Sequence, residues 1–130
     1  VSAETLARQL AAMGRDLEIQ VTVLGKYEDE AVEAEGKYRL KDALYEDMLA
    51  SGMLRSDQRN AETRKAEARL DCIPERDAMQ QAYTDWGRAK AKVRMQQASL
   101  SALHKRIEIG RSLLSRERAL LGLSGSGVDT

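Results

Sequence analysis

Between Pro74 and Gly122 an apolar residue recurs every three or four positions, at Met79, Ala82, Trp86, Ala89, Val93, Leu100, Leu103, Ile107, Leu114 and Leu121. Gln96, Gly110 and Glu117 occupy places where the pattern would put apolar side chains. Alternating steps of three and four are heptad spacing, which gives a helix one continuous stripe with which to lie lengthwise against another helix. Pro74 suits a first helical turn, where its missing N–H needs no partner, and Gly122 suits a C-terminal stop. A helix over 74–121 would be roughly 70 Å long at 1.5 Å per residue, too long for the interior of a compact globule of 130 residues. The spacing therefore predicts an arm, a bundle stave or a ring element.

The same stretch concentrates positive charge. From Gly87 to Leu121 stand Arg88, Lys90, Lys92, Arg94, Lys105, Arg106, Arg111, Arg116 and Arg118, against Glu108 and Glu117. Glu28, Asp29, Glu30, Glu33 and Glu35 make an earlier segment acidic, so the formal net charge of zero conceals a dipolar chain. The length suits one domain, expected over 1–123. Apolar residues make up 42% of the chain, but many are alanine and Phe is absent. Thin helices of this kind bury too little surface alone, and self-association is the expected remedy.

The remaining segments also read as helix. Ser2 is a candidate N-cap, followed by Leu6, Leu10, Met13, Leu17, Val21 and Leu24 at helical spacing, which predicts a first helix over 2–24 with Gly25 as its stop or a kink. A second helical region over 27–71 carries Tyr27, Ala31, Ala34, Tyr38, Lys41, Tyr45 and Met48 on one stripe. Leu40, Leu44 and Leu49 form a neighbouring stripe, a width that suits more than one partner helix. Ser51-Gly52 marks a bend or break within 51–56, with Ser56 or Asp57 as the next N-cap. A turn near Cys72-Ile73-Pro74 would lay the two long segments antiparallel. The Gly- and Ser-rich 124–130 reads as a disordered tail. The expected fold is thus all-α: a long antiparallel helical hairpin with an additional N-terminal helix, assembled as an oligomeric bundle or ring.

Nothing in the sequence marks an enzyme. His104 is the single histidine and Cys72 the single cysteine, so neither a triad nor a metal site has partners of its own type. Cys72 excludes an internal disulfide and fits a reducing compartment. No phosphate-binding glycine motif joins a strand to a helix. No apolar run is long enough to span a bilayer, and no leader is evident, so a soluble cytoplasmic protein without cofactor is expected.

The basic helix is what remains to be explained. Lys and Arg spread along some 30 residues offer a phosphate track, with Tyr83 and Trp86 near its start as stacking platforms for bases. The alternatives are that Trp86 packs in the helix seam and that the cations answer the acidic second segment. A further basic group, Arg64, Lys65 and Arg69 with Arg55 and Arg59, is interleaved with Asp57, Glu62, Glu67 and Asp71 as helical i,i+4 pairs would be.

Two short signatures carry a resemblance. Arg64-Lys65-Ala66 precedes Glu67-Ala68-Arg69-Leu70-Asp71, and Tyr83-Thr84-Asp85-Trp86-Gly87 opens a long helical stretch. Across 38–121 the chain resembles the UvsY family of phage recombination mediators, small all-helical proteins with a Lys-Ala-Arg-Leu-Asp single-strand contact motif and an aromatic-Trp-Gly signature. Glu67 stands where that family has a basic residue, which leaves Arg69 as the carried-over contact and Arg64 and Lys65 to replace the missing charge. The resemblance implies a homo-oligomer in the cytoplasm of a bacterial host. It would hold single-stranded DNA and help load a recombinase past a single-strand-binding protein. The expected DNA contacts are Arg64, Lys65, Arg69, Arg88, Lys90, Lys92, Arg94, Lys105, Arg106 and Arg111. The competing expectation is a coiled-coil interaction module, such as a scaffold, adaptor or inhibitor of a host protein, whose charged faces choose its partner.

Overall fold

The computed structural model describes the backbone of residues 2–129 and the side chains of residues 2–122. Gly122, expected to stop the last helix, does not do so, since that helix continues to Asp129; the side chains of the tail expected over 124–130 lie outside the described residues. Among the described residues the chain is all-α, with helices α1 (Ala3–Arg55), α2 (Ala61–Asp71) and α3 (Ile73–Asp129) and no strand. None of these helices is long and apolar enough to cross a membrane. Two compact units divide the chain, one formed by Val1–Lys26 and Arg94–Thr130 and the other by Tyr27–Val93.

Helix ends follow local chemistry. Ser2 caps α1 as expected: its hydroxyl accepts from the Thr5 N–H at 3.1 Å and its carbonyl from the Leu6 N–H at 3.0 Å. Gly25, expected as a stop or a kink, lies inside α1 and does not end it. A glycine closes a helix when it adopts a left-handed backbone, and no described glycine has positive φ. The apolar stripe runs through Leu24, Tyr27 and Ala31 without interruption, so packing outweighs the roughly 1 kcal/mol that glycine costs in a helix.

The break expected within 51–56 comes at the far end of that window. Ser51 and Gly52 remain helical, α1 ends at Arg55, and 56–60 form the connection. Asn60, rather than Ser56 or Asp57, caps α2 by accepting from the Glu62 N–H at 2.8 Å. Ser56 is committed elsewhere: it donates to Glu67 Oε2 at 2.6 Å and accepts from the Gln58 N–H. Cys72 closes α2, its N–H reaching the carbonyls of Ala68 and Arg69, and α3 begins at once with Pro74 in its first turn.

In the first unit Leu6, Leu100, Leu103, Ile107 and Leu114 are buried, which is the heptad stripe performing its expected work. Two off-pattern positions have specific roles. Gly110 leaves the hole that Leu10 fills, since a Cβ there would stand 2.8 Å from Leu10 Cδ2 and 3.5 Å from Met13 Cε. Gln96 is buried and donates from Nε2 to both the backbone oxygen of Gln20 at 2.9 Å and its Oε1 at 2.7 Å.

In the second unit α2 is held by a stripe of i,i+4 residues: Ala68 and Cys72 are buried and Arg64 is half-buried. Gly52 allows α2 its approach, because a Cβ there would lie 3.0 Å from Ala68 Cβ. Tyr45 completes the buried apolar set of this unit.

Candidate nucleic-acid interface

The aromatic group expected near the start of α3 exists, with an additional member. Trp86 stacks on Tyr38 of α1 at 5.4 Å between ring centroids and 22° between planes, and Tyr83 meets both rings edge-on. The Lys90 ammonium sits 3.9 Å from the Trp86 centroid, with the Arg39 guanidinium at 6.0 Å. One turn separates Trp86 from Lys90, so the cation–π contact follows from i,i+4 geometry. A base seeking the indole therefore competes with Tyr38 and Lys90 for its faces. Tyr83, 55% exposed, is the more open platform. Tyr38 and Arg39 were not singled out as site residues, although Tyr38 on a shared stripe with Tyr45 was the available signal.

The expected cationic contacts divide by face. Lys65 and Arg69 are exposed on α2, whereas Arg64 turns inward and its Nε is shielded from water without a hydrogen-bond partner. Arg64 is thus not brought together with the other two. Along α3, Arg88, Lys90, Lys92, Arg94, Lys105, Arg106 and Arg111 are all exposed. Residues two apart on a helix are turned by about 200°, so Arg88 and Lys92 lie on one side and Lys90 and Arg94 on the other. Lys92 comes within 5.7 Å of the Tyr27 ring. No single face of the helix collects all the cations.

The acidic residues do not neutralise them. Among the described residues the ion pairs are Arg8–Glu4, Lys37–Glu33, Arg39–Glu35 and Arg76–Asp77, each within one helix and no more than four residues apart. All are exposed, where such pairs contribute about 0–1 kcal/mol. None of the ten cations expected at the interface takes part.

A second feature lies in the Tyr27–Val93 unit. Ala34, Leu40 and Leu44 of α1 and Ala78 and Ala82 of α3 line an open groove of about 620 Å³. Glu30, Glu33, Lys37, Lys41, Gln81 and Asp85 edge it. Leu40 is 74% exposed beside it. The neighbouring leucine stripe of the sequence was its signal, and the alanines opposite are what make it concave.

No protein-family model matches the chain, and neither a curated protein nor a solved structure does.

Proposed function

We propose that this chain is a non-enzymatic, oligomeric single-stranded DNA-binding protein, a recombination mediator or accessory factor that helps load a phage-type recombinase. In this reading 27–71 and 74–121 form an antiparallel hairpin, the N-terminal segment packs against it or against a neighbour, and several hairpins associate as a bundle or ring. The observation that carries the reading is that every expected cation of α3 is exposed and outside any ion pair among the described residues. Lys65 and Arg69 add an exposed pair on α2. Cations outside ion pairs are available to phosphates, Lys90 least because it already lies over Trp86, and their number makes affinity fall steeply with salt as counterions are released. Each hairpin offers only a few contacts per side, so joining copies supplies useful affinity through effective concentration. Tyr83 would add sequence-tolerant stacking.

A salt titration of fluorescent oligo-dT binding tests this reading. Binding at low salt with a log–log slope of about −0.7 per phosphate contact is expected. Micromolar protein that leaves the oligonucleotide free at low salt rejects it.

The groove in the Tyr27–Val93 unit favours a second reading, a helical interaction module without nucleic acid. Under that reading Arg69→Ala leaves function intact, while charge reversal along Arg88, Lys90, Lys92 and Arg94 disrupts a protein complex.

A further inference from the structure

The α3 segment of the Val1–Lys26/Arg94–Thr130 unit carries two apolar faces. The buried one, through Leu100, Leu103, Ile107 and Leu114, faces α1. The other consists of Met95, Ile109, Leu113 and Leu120, all exposed, with Ala98 and Ala102 between them. Their positions advance in helical steps of three, four or seven, so they form a ridge turned by about 120° from the buried stripe. Lys105, Arg106 and Arg116 flank this ridge, with Glu108 at its edge. Ile109 is 61% exposed, a costly position for a β-branched apolar side chain unless something covers it.

The other unit supplies a matching concavity. Its groove has an apolar floor, and three of the five charged residues at its edge, Glu30, Glu33 and Asp85, are acidic. Of the two lysines there, Lys37 is 3.5 Å from Glu33. Lys41 is outside any ion pair among the described residues and is the natural counterpart of Glu108. From Glu30 to Leu44 the groove runs ~21 Å along α1, enough to take the Ile109–Leu120 part of the ridge, ~17 Å of a ridge that runs ~38 Å from Met95. An apolar floor with a mainly acidic edge and an apolar ridge with mainly basic flanks therefore occur on two surfaces of one sequence.

We infer that the groove of one copy receives the α3 ridge of a second copy, Leu113 and Ile109 seating against Leu44 and Leu40, with Arg106 and Arg116 facing the acidic edge. The inference deepens the oligomer reading above and rests on it. The contact is heterologous: each copy offers one ridge and one groove, so association propagates and closes as a ring if the rotation permits. It also assigns Arg106 to protein contact, leaving Lys105, Arg111 and the cations at 88–94 and on α2 for phosphate.

Sedimentation velocity of the full chain tests it. The wild type is expected to sediment as assemblies larger than a dimer. Leu44→Glu and Leu113→Glu are each expected to weaken association at least tenfold, to monomer. An equimolar mixture of the two should recover a heterodimer and nothing larger, because one intact groove meets one intact ridge. A monomeric wild type, a Leu113→Glu chain that still assembles, or a mixture that stays monomeric overturns the inference. Circular dichroism confirms that each variant folds. Should either unfold, Leu40→Glu and Ile109→Glu alter more exposed positions of the same surfaces and carry the same expectations. Oligo-dT binding is read in parallel: assembly without DNA binding rejects the nucleic-acid reading alone, and DNA binding by a lasting monomer rejects the interface alone.

Discussion

The contact between Gln96 and Gln20 yields a quantitative prediction. Gln96 interrupts an apolar seam and is 9% exposed, yet it is satisfied by two hydrogen bonds from one amide nitrogen. A net hydrogen bond contributes about 1 kcal/mol, and a buried group left unsatisfied costs about 1–3 kcal/mol. Gln96→Ala removes both bonds and most of the side chain, so a loss of about 2–3 kcal/mol is expected. Gln96→Leu restores apolar area but leaves Gln20 Oε1 without its donor, and a loss of about 1 kcal/mol is expected. Of the two bonds from Gln96, Gln20→Ala removes only the 2.7 Å one, because the backbone acceptor survives the substitution; the Gln20 Nε2 bond to Asp16 Oδ1 at 3.3 Å is also lost, but it is lost with and without Gln96 and cancels in a cycle. A double-mutant cycle between positions 20 and 96 therefore isolates one side-chain bond, with a coupling of about 0.5–1.5 kcal/mol. Urea unfolding followed by circular dichroism at one fixed protein concentration measures it, since association shifts apparent stability. A coupling indistinguishable from zero, or a Gln96→Leu chain clearly more stable than wild type, would refute the view that this amide pair stabilises the packing of the two helices.

The remaining predictions concern glycines, cations and aromatics. Gly25 has no neighbour within 4 Å of an added Cβ, so Gly25→Ala should raise stability by about 0.5–1 kcal/mol in urea unfolding; a loss would show that a bend at this position matters. Gly110→Leu should lower it by about 1–3 kcal/mol through overpacking against Leu10 and Met13, and an unchanged midpoint would show that the seam yields freely. Arg64→Met should leave stability equal or higher, because it removes a shielded Nε without a partner, and should not alter the salt slope of oligo-dT binding. Arg69→Met should reduce that slope by about 0.7, and equal effects of the two substitutions would contradict the inward turn of Arg64. Trp86→Ala should lower stability by less than the ~3–5 kcal/mol of a fully buried tryptophan, because Trp86 is half-buried, whereas Tyr83→Ala should weaken oligo-dT binding with little change in the unfolding midpoint; the reverse pattern in paired unfolding and anisotropy measurements would make Trp86 the stacking platform.

Much of the helical content was legible because heptad spacing and capping are local properties. Leu100, Leu103, Ile107 and Leu114 were identifiable as seam residues from their spacing, and they are buried. Glycine was where local reading failed. Gly25 resembles a stop when only backbone preference is considered, and Ser51-Gly52 the point of a break that comes three residues later, after Arg55, yet both glycines lie within α1. The reason at Gly52 is tertiary: Ala68 comes so close that no larger side chain fits without a shift. Gly110 and Gln96 looked like defects in a stripe because their partners, Leu10 and Gln20, lie far away in the chain. Arg64, Lys65 and Arg69 looked like one basic group for a related reason. Only the packing of Ala68 and Cys72 determines which side of α2 is inside, and that puts Arg64 on the inner side.

The alternation at 88, 90, 92 and 94 bears on how a polyanion could use this helix. Charges two residues apart point to opposite sides, so one strand cannot engage all four on a single helix. A strand on the Arg88 and Lys92 side leaves Lys90 and Arg94 for a second strand, a neighbouring copy or the aromatic group. Lys90 is already placed 3.9 Å over Trp86, which makes it partly a packing residue and reduces the contribution expected of it as a phosphate contact. A lone copy therefore presents two short cationic sides rather than one long track. Only repetition of copies, each turning the same side to a common path, converts short sides into a continuous one. For this chain, nucleic-acid binding and self-association are thus expected to rise and fall together, even though different residues carry them.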